Sequence, residues 1–388
     1  MTPRTAPPAT EAYIIGAVRT PLGREGGGLA GAHPADLGAH VIRALLDRTG
    51  ADPGAVDEVV FGCVDAVGPQ AGNVARTCWL AAGLPGEVPG VTVDRQGGSS
   101  QQALHFAAHA VWSGNAGLVV VGGVQNASMV PSSQVAAVGK ALGFATPVAG
   151  SRGWQARYGG REPSSLRGAE MIAKKWDISR QQMEEFALAS HRRAVRATAE
   201  WRFEREVVPV AGLLADEGPR DVTPGELAAL EPLAEGGRLT AGLSAQAADG
   251  AAALLVASER AVREHRLSPR ARVHHTSARG SGPGMPSAAV AATARALNLA
   301  GMAIDQFDVV EVDEAFACVP LAWTRETGAG PERVNPNGGA LAFGHPAGAA
   351  GARLMTSLLH ELERTGGRYG LQVTGEGGQA TVTVLERL

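Results

Sequence analysis

Two distant stretches of this chain follow one plan, and the repetition restricts the fold more than any other feature. The first is Val91–Val111, VTVDRQGGSSQQALHFAAHAV. Its β-branched start (Val91, Thr92, Val93) predicts a strand, Gly97 and Gly98 predict a tight turn, and a helix follows. Ser99 and Ser100 carry hydroxyls able to cap that helix. Ala103, Leu104, Phe106, Ala107, Ala108, Ala110 and Val111 cover more than one stripe, so the helix is expected to be buried on most sides. The second stretch, VNPNGGALAFGHPAGAAGARLMTSLL from Val334, again runs strand, glycine turn, buried helix. AVDEVVFGCV (55–64) is echoed by AIDQFDVVEVDEA (303–315), and Arg272–Ser277 matches the opening strand Tyr13–Val18. Such a repeat predicts two similar α/β halves whose buried helices meet, with one site between the two turns. A helix that starts at a glycine turn offers clustered N–H donors and a positive dipole end, where an enzyme places a nucleophile or an oxyanion. The turn at Gly97 holds the donors and no nucleophile.

The remaining segments fit that frame. Pro34–Thr49 has apolar residues at helical spacing, Val59–Val64 reads as a strand, Asn73–Ala82 as a helix, and GLVVVGG (117–123) as a strand covered on both faces. From Met129 to Leu243 the chain turns rich in Gly, Pro and charge around one strong helix, Ile178–Trp201, capped by Ser179. The α/β pattern resumes at Asp249 with DGAAALLVAS. The expected division is therefore residues 1–128 as a first half completed by 246–268, a loop domain at 129–245, and a second half at 269–388.

The 388 residues are 45% hydrophobic, enough for a large interior, and a net charge of −3 argues against a nucleic-acid surface. No apolar run is long enough to span a membrane, and the polar, proline-rich N-terminus lacks a secretory core. Cys63, Cys78 and Cys318 are odd in number and fit no metal spacing. A cytoplasmic protein with free thiols is the expectation.

VRTPLG, GCVDAVGPQAGNVAR, VTVDRQ…SSQQAL, AEMIAKKW, DEGPR, DGAAALLVAS, DEAFA, GHPAGAAGAR and EGGQATVTVLERL occur in that order over nearly the whole chain. Together they resemble the segments of the thiolase family. The resemblance implies the thiolase fold, an α/β architecture of two repeated αβαβα halves in five layers with an inserted loop domain. It also implies a coenzyme A thioester substrate with no covalently bound cofactor, and a homodimer or homotetramer.

The resemblance assigns site residues and exposes departures. The histidine of the GHPxGxxG pattern is His345. The position of the acyl-accepting cysteine is Gly97, and that of the asparagine in NEAFA is Asp313. The second cysteine, in a pattern like LQTMCEGGGQA, faces LQVTGEGGQA here. Aligned from the left it becomes Gly375 with one glycine deleted after Glu376; aligned from the right, Thr374 takes its place. Arg220 in DEGPR matches an arginine near the coenzyme A nucleotide. In TAGLSAQ (240–246), Ser244 and Ala245 fall where the family meets pantetheine, with Ala245 in place of a serine.

His345 is suited to proton transfer near neutral pH. Asp313 has two readings, an ionised partner that raises the basicity of His345, or a direct base. The Gly97 N–H remains an oxyanion donor without a side chain. These departures lead to the expectation of an enzyme that forms or cleaves a carbon–carbon or acyl bond of an acyl-CoA or carrier-bound thioester. The expected means is non-covalent base catalysis by His345 and Asp313, with ordinary thiolase activity not expected. The alternative is a catalytically silent subunit that binds ligand or a partner protein.

Overall fold

The longest apolar runs of the sequence become the most deeply buried strands. A computed structural model describes residues 10–146, 148–160, 162–282 and 288–388, so most of the proline-rich N-terminus lies outside the described residues. In chain order the first half contains β1 (Ala12–Arg19), β2 (Gly23–Arg24), α1 (Pro34–Thr49), β3 (Glu58–Gly62), α2 (Val74–Ala81), β4 (Gly90–Val93), α3 (Ser99–Trp112) and β5 (Leu118–Asn126). Helices α4 (Ser132–Ala141), α5 (Arg152–Tyr158), α6 (Ser165–Lys175), α7 (Arg180–Ala199) and α8 (Pro224–Ala228) precede β6 (Ala248–Ser258) and α9 (Glu259–Glu264). The second half holds β7 (Ala271–Gly280), α10 (Ala288–Ala300), β8 (Val309–Val312), α11 (Cys318–Thr327), α12 (Ala340–Phe343), α13 (Ala350–Thr365), β9 (Tyr369–Glu376) and β10 (Gln379–Arg387).

Strands β5 and β6 are buried at every residue and pair antiparallel from Leu118↔Ala257 to Asn126↔Asp249. The sheet order is β4-β3-β5-β6-β1-β7-β10-β9-β8, with β2 on β6. Between the halves β1 meets β7 through only two residue pairs, Tyr13↔Arg272 and Ile14↔Ala271, so two sheets are joined at a corner. Helices α1 and α2 cover the outer face of the first sheet through Leu37, Val41, Leu45 and Trp79. Helices α3 and α13 fill the space between the sheets, with Leu104, Val111, Met355 and Leu358 touching strands of both. Helix α10 and Trp323 of α11 cover the second sheet on its far side. These are the five layers of the thiolase fold.

The central helices approach closely because glycine leaves room. A Cβ on Gly351 would lie 2.5 Å from the Gln101 backbone N, and one on Gly62 would lie 2.4 Å from Ser100 N and 2.5 Å from Gly348 O. The two serines expected to cap α3 have other work. The N-cap is Gly98, with no side-chain cap bond. Ser99 Oγ accepts from Arg95 N (2.8 Å) and donates to Gln96 O (2.6 Å), which closes the turn ahead of the helix. Ser100 Oγ accepts from Ala352 N at 2.9 Å and ties α3 to α13.

Between β5 and β6 the chain is more helical than its composition predicts. The expected helix is present as α7, with Ser179 and Gln182 forming a reciprocal capping box. Helices α6 and α8 join it around Ala173, Met183, Ala187 and Leu227, in a cluster that also includes Cys318 and Ala322 of α11. The DGAAALLVAS segment is strand to its end, where Ser258 caps α9 by accepting from Ala261 N at 3.1 Å. Among the described residues no helix is long and apolar enough to cross a membrane.

Candidate active site

The site is assembled by four loops that leave the ends of buried elements. Asp313 follows β8 and donates its backbone N–H to Val373 O at 2.9 Å. Beside it, Glu314 is buried and accepts from Asn335 Nδ2 and Ser190 Oγ, both at 2.7 Å, and from Leu341 N at 3.3 Å. Glu314 thereby anchors the DEAFA loop to α12, which leads directly into Gly344–His345. Gly344 has φ +91°, a conformation that glycine adopts readily. His345 N then donates to Gln246 O at 2.8 Å, which fixes the segment against the end of the loop region.

The structure brings His345, Asp313 and Gly97 together, as expected for two facing turns. His345 Nε2 lies 3.0 Å from Asp313 Oδ2, with side-chain exposures of 11% and 2%. Burial works to lower the His345 pKa, but the charge and hydrogen bond of Asp313, aided by Glu376, outweigh it and lift it to about 9. The balance favours the imidazolium form of His345, with Asp313 as its hydrogen-bond partner at 3.0 Å. Asp313 Oδ1 is buried without a hydrogen-bond partner among the described residues, an acceptor left for an incoming donor.

At Gly97 the geometry shows a residue that the sequence reading passed over. A Cβ built there would lie 3.3 Å from His345 Cε1, 3.5 Å from His345 Nε2 and 3.0 Å from Glu376 Oε2. The Gly97 N–H is already donated to that same oxygen at 2.8 Å. The preceding Gln96 has φ +50°, an uncommon conformation for a residue with a side chain, held by its N–H to Asp94 Oδ1 at 2.9 Å. Glu376 stands next to the Gly375 of the sequence argument, and a carboxylate beside a missing thiol was the available signal.

Neither candidate for the second cysteine presents a group to His345. Residues alternate between sheet faces. Leu371 and Val373 of β9 face α10, and a Cβ on Gly375 would turn the same way, 3.7 Å from Ala289 Cβ. Thr374 lies on the inner face but is fully buried, with Oγ1 2.6 Å from the Gln101 amide. Glu376, two residues on, shares that inner face.

Two cavities reach the segments that carry the pair, one at Gly344 and the other at Ala315 and Glu376. One of about 350 Å³ is lined by Arg220, Ser244, His191, Phe343 and Gly344. Ala245 is not among its lining residues; its N–H is donated to Ala315 O at 3.0 Å, which ties the TAGLSAQ loop to DEAFA. The other, about 410 Å³, is lined by Trp154, Ile172, Ala289, Phe316, Val319 and Glu376. All three cysteines are buried and free. Burial pushes the Cys63 and Cys318 thiols up to about 12 and raises that of Cys78 as well.

Two facing glycine turns, a histidine in the GHPAGAAG segment at one of them and five layers define the class. The chain belongs to the thiolase family. The thiolase N-terminal domain matches residues 12–260 and the thiolase C-terminal domain residues 267–387. It is 56% identical over 385 residues to the steroid 3-ketoacyl-CoA thiolase FadA6 of Mycobacterium tuberculosis, covering 98% of this chain and 95% of that protein. It is 40% identical over 401 residues to a beta-ketoadipyl-CoA thiolase of Acinetobacter baylyi, covering 97% and 99%. The crystal structure of the Bacillus anthracis acetyl-CoA acetyltransferase superposes with a TM-score of 0.85 at 32% identity, covering 98% of this chain and 99% of that one.

These relatives overturn the functional expectation drawn from the departures. Proteins named as 3-ketoacyl-CoA thiolases stand at 56% and 40% identity over nearly full length. A reaction outside thiolase chemistry, run by non-covalent base catalysis, does not stand against that, and neither does the silent-subunit alternative. The expectation erred by treating each altered side chain as a lost activity, when the fold and the GHPAGAAG histidine, His345, are kept.

Proposed function

We propose that this chain catalyses the thiolytic cleavage of a 3-ketoacyl-CoA, with free coenzyme A as acceptor, and acts on a bulky acyl chain. The observation that carries the reading is the His345–Asp313 pair, 3.0 Å apart, with Gly344 beside it lining one cavity and Ala315 and Glu376 lining the other. Cleavage releases the two-carbon fragment as an enolate that must be protonated, and the attacking thiol must lose a proton. An imidazolium stabilised by Asp313 is suited to give the first proton and, once neutral, to take the second. The cavity with Arg220 and Ser244 is read as the coenzyme A side, which favours coenzyme A over a carrier protein. The 410 Å³ cavity, lined by Trp154, Ile172, Phe316 and Val319, is read as the acyl side. Its size and apolar lining support a ring-bearing acyl group like that named for the mycobacterial relative.

In this reading residues 1–128 with 246–268 and residues 269–388 are the two halves, and 129–245 is the loop domain that covers coenzyme A. The working unit is a homodimer or homotetramer in the cytoplasm, to be measured by light scattering of the purified protein. Activity is tested by incubating the chain with coenzyme A and either acetoacetyl-CoA or a 3-ketoacyl-CoA carrying a steroid side chain. Acetyl-CoA and a shortened acyl-CoA, detected by mass spectrometry and faster for the bulky substrate, are expected. Absence of acetyl-CoA from both substrates would sink the reading.

A further inference from the structure

We infer that Glu376 is the acyl-accepting nucleophile of this chain, an inference that rests on the thiolysis proposed above. The geometry is specific. Glu376 Oε2 lies 3.0 Å from the point where a side chain at residue 97 would begin and is held there by the Gly97 N–H at 2.8 Å. It lines the 410 Å³ cavity, so an acyl group seated there can reach it. No cysteine competes for the role: the three thiols donate to backbone carbonyls at Val64, Pro34 and Ala169, inside the packed layers.

The chain's own sequence places the carboxylate. Where the resemblance pattern has three glycines after the glutamate, this chain has two, Gly377 and Gly378. Both have positive φ, +61° and +78°, and Glu376 pairs directly with Gln379, a two-residue hairpin turn. The shortened turn keeps Glu376 inside β9 on the inner face with Thr374, aimed at the turn before α3. A side chain at residue 97 would contend with the carboxylate for this space, so the glycine and the glutamate fit as a pair.

The chemistry balances. A Glu376 carboxylate oxygen attacks the 3-keto carbon and forms a C–O bond. The C2–C3 bond of the substrate then breaks, and its electron pair leaves on the two-carbon thioester as an enolate. The His345 imidazolium protonates C2, giving acetyl-CoA and an acyl–glutamyl anhydride. Free coenzyme A enters, neutral His345 takes its thiol proton, and the thiolate attacks the acyl carbon. The acyl C–O bond to Glu376 breaks, releasing acyl-CoA and regenerating the carboxylate and the imidazolium. Splitting one transfer into two acyl transfers is the role a nucleophile plays in covalent catalysis.

The test traps the anhydride. Full-length protein is mixed with acetoacetyl-CoA or the steroid side-chain 3-ketoacyl-CoA, without free coenzyme A, and quenched into hydroxylamine. Peptide mass spectrometry is expected to find a substrate-dependent hydroxamate on Glu376. E376Q keeps an acceptor for the Gly97 N–H and is expected to fold normally, to carry no hydroxamate, and to lose on the order of 10³-fold or more in thiolysis. Thiolysis by the wild type with no modification of Glu376, and an E376Q variant at wild-type rate, would overturn the inference while leaving the thiolase reading standing. A wild type that cleaves neither substrate and carries no hydroxamate removes both.

Discussion

The glycine turns ahead of α3 and α13 differ in build and in what they contribute to chemistry: the first follows β4, whereas Val334, where a second strand was expected, makes only an isolated bridge to Val310. At the second-half turn His345 and the neighbouring Asp313 supply ionisable side chains paired at 3.0 Å, Asp313 buried and His345 slightly exposed. At the first-half turn Gly97 supplies only a backbone N–H, and the polar side chain in its space comes from Glu376, 279 residues further along. Loss of a side chain at one turn is therefore not loss of a functional group from the site. A site between two repeats can be completed from either half, because what matters is where an atom lies and not which segment carries it.

The largest effect is expected from emptying the second turn. His345→Ala should lower thiolysis on the order of 10²–10⁴-fold, the usual share of a proton-transfer group, with an unchanged circular dichroism spectrum. A comparable rate in that variant would mean the first turn works alone.

Asp313→Asn sharpens the comparison by keeping shape and removing charge. Nuclear magnetic resonance titration should show the His345 pKa falling from about 9 towards its ordinary value. Because Asp313 raises that pKa, the stability it lends is fully present below the unfolded histidine pKa and disappears as pH rises through about 9. At pH 6 the wild type should exceed the variant by roughly 1.5–3 kcal/mol, the range for a charge-assisted hydrogen bond, and the gap should close above pH 10. A gap that is flat with pH would remove the charge argument.

The packing that brings the turns together can be broken separately. Gly351→Ala pushes a methyl against the Gln101 backbone at 2.5 Å and should cost about 1–3 kcal/mol in urea denaturation. Gly31→Ala, with nothing within 4 Å of its Cβ, should change stability by less than about 0.5 kcal/mol. Equal effects would show that the helix contact is not tight.

Arg220→Ala should have the smallest effect. It leaves both turns intact, so KM for coenzyme A should rise up to about tenfold, the scale of one lost hydrogen bond, with kcat little changed. A fall in kcat alone would place Arg220 in the chemistry instead.

Much of this molecule was legible in its residues. The apolar runs at 117–123 and 249–258 identified the most buried strands, because strands covered on both faces must be apolar throughout. The repeated glycine turns announced two halves with a shared site, and Gly344–His345–Pro346 together with Asp313 pointed to the pair that the fold assembles. Three things lay beyond the sequence. The hydroxyls of Ser99 and Ser100 looked like caps because local hydrogen bonds are all that a linear reading can count, yet one closes the turn and the other bridges to α13. The His345 pKa was out of reach because burial and neighbouring carboxylates act in opposite senses, and only distances decide which prevails. Glu376 was hidden for a related reason: the face a strand residue presents depends on pairing register, set here by a two-residue turn and by partners from the other half of the chain. Local pattern determined the elements, and contacts between residues hundreds of positions apart decided which of their atoms meet.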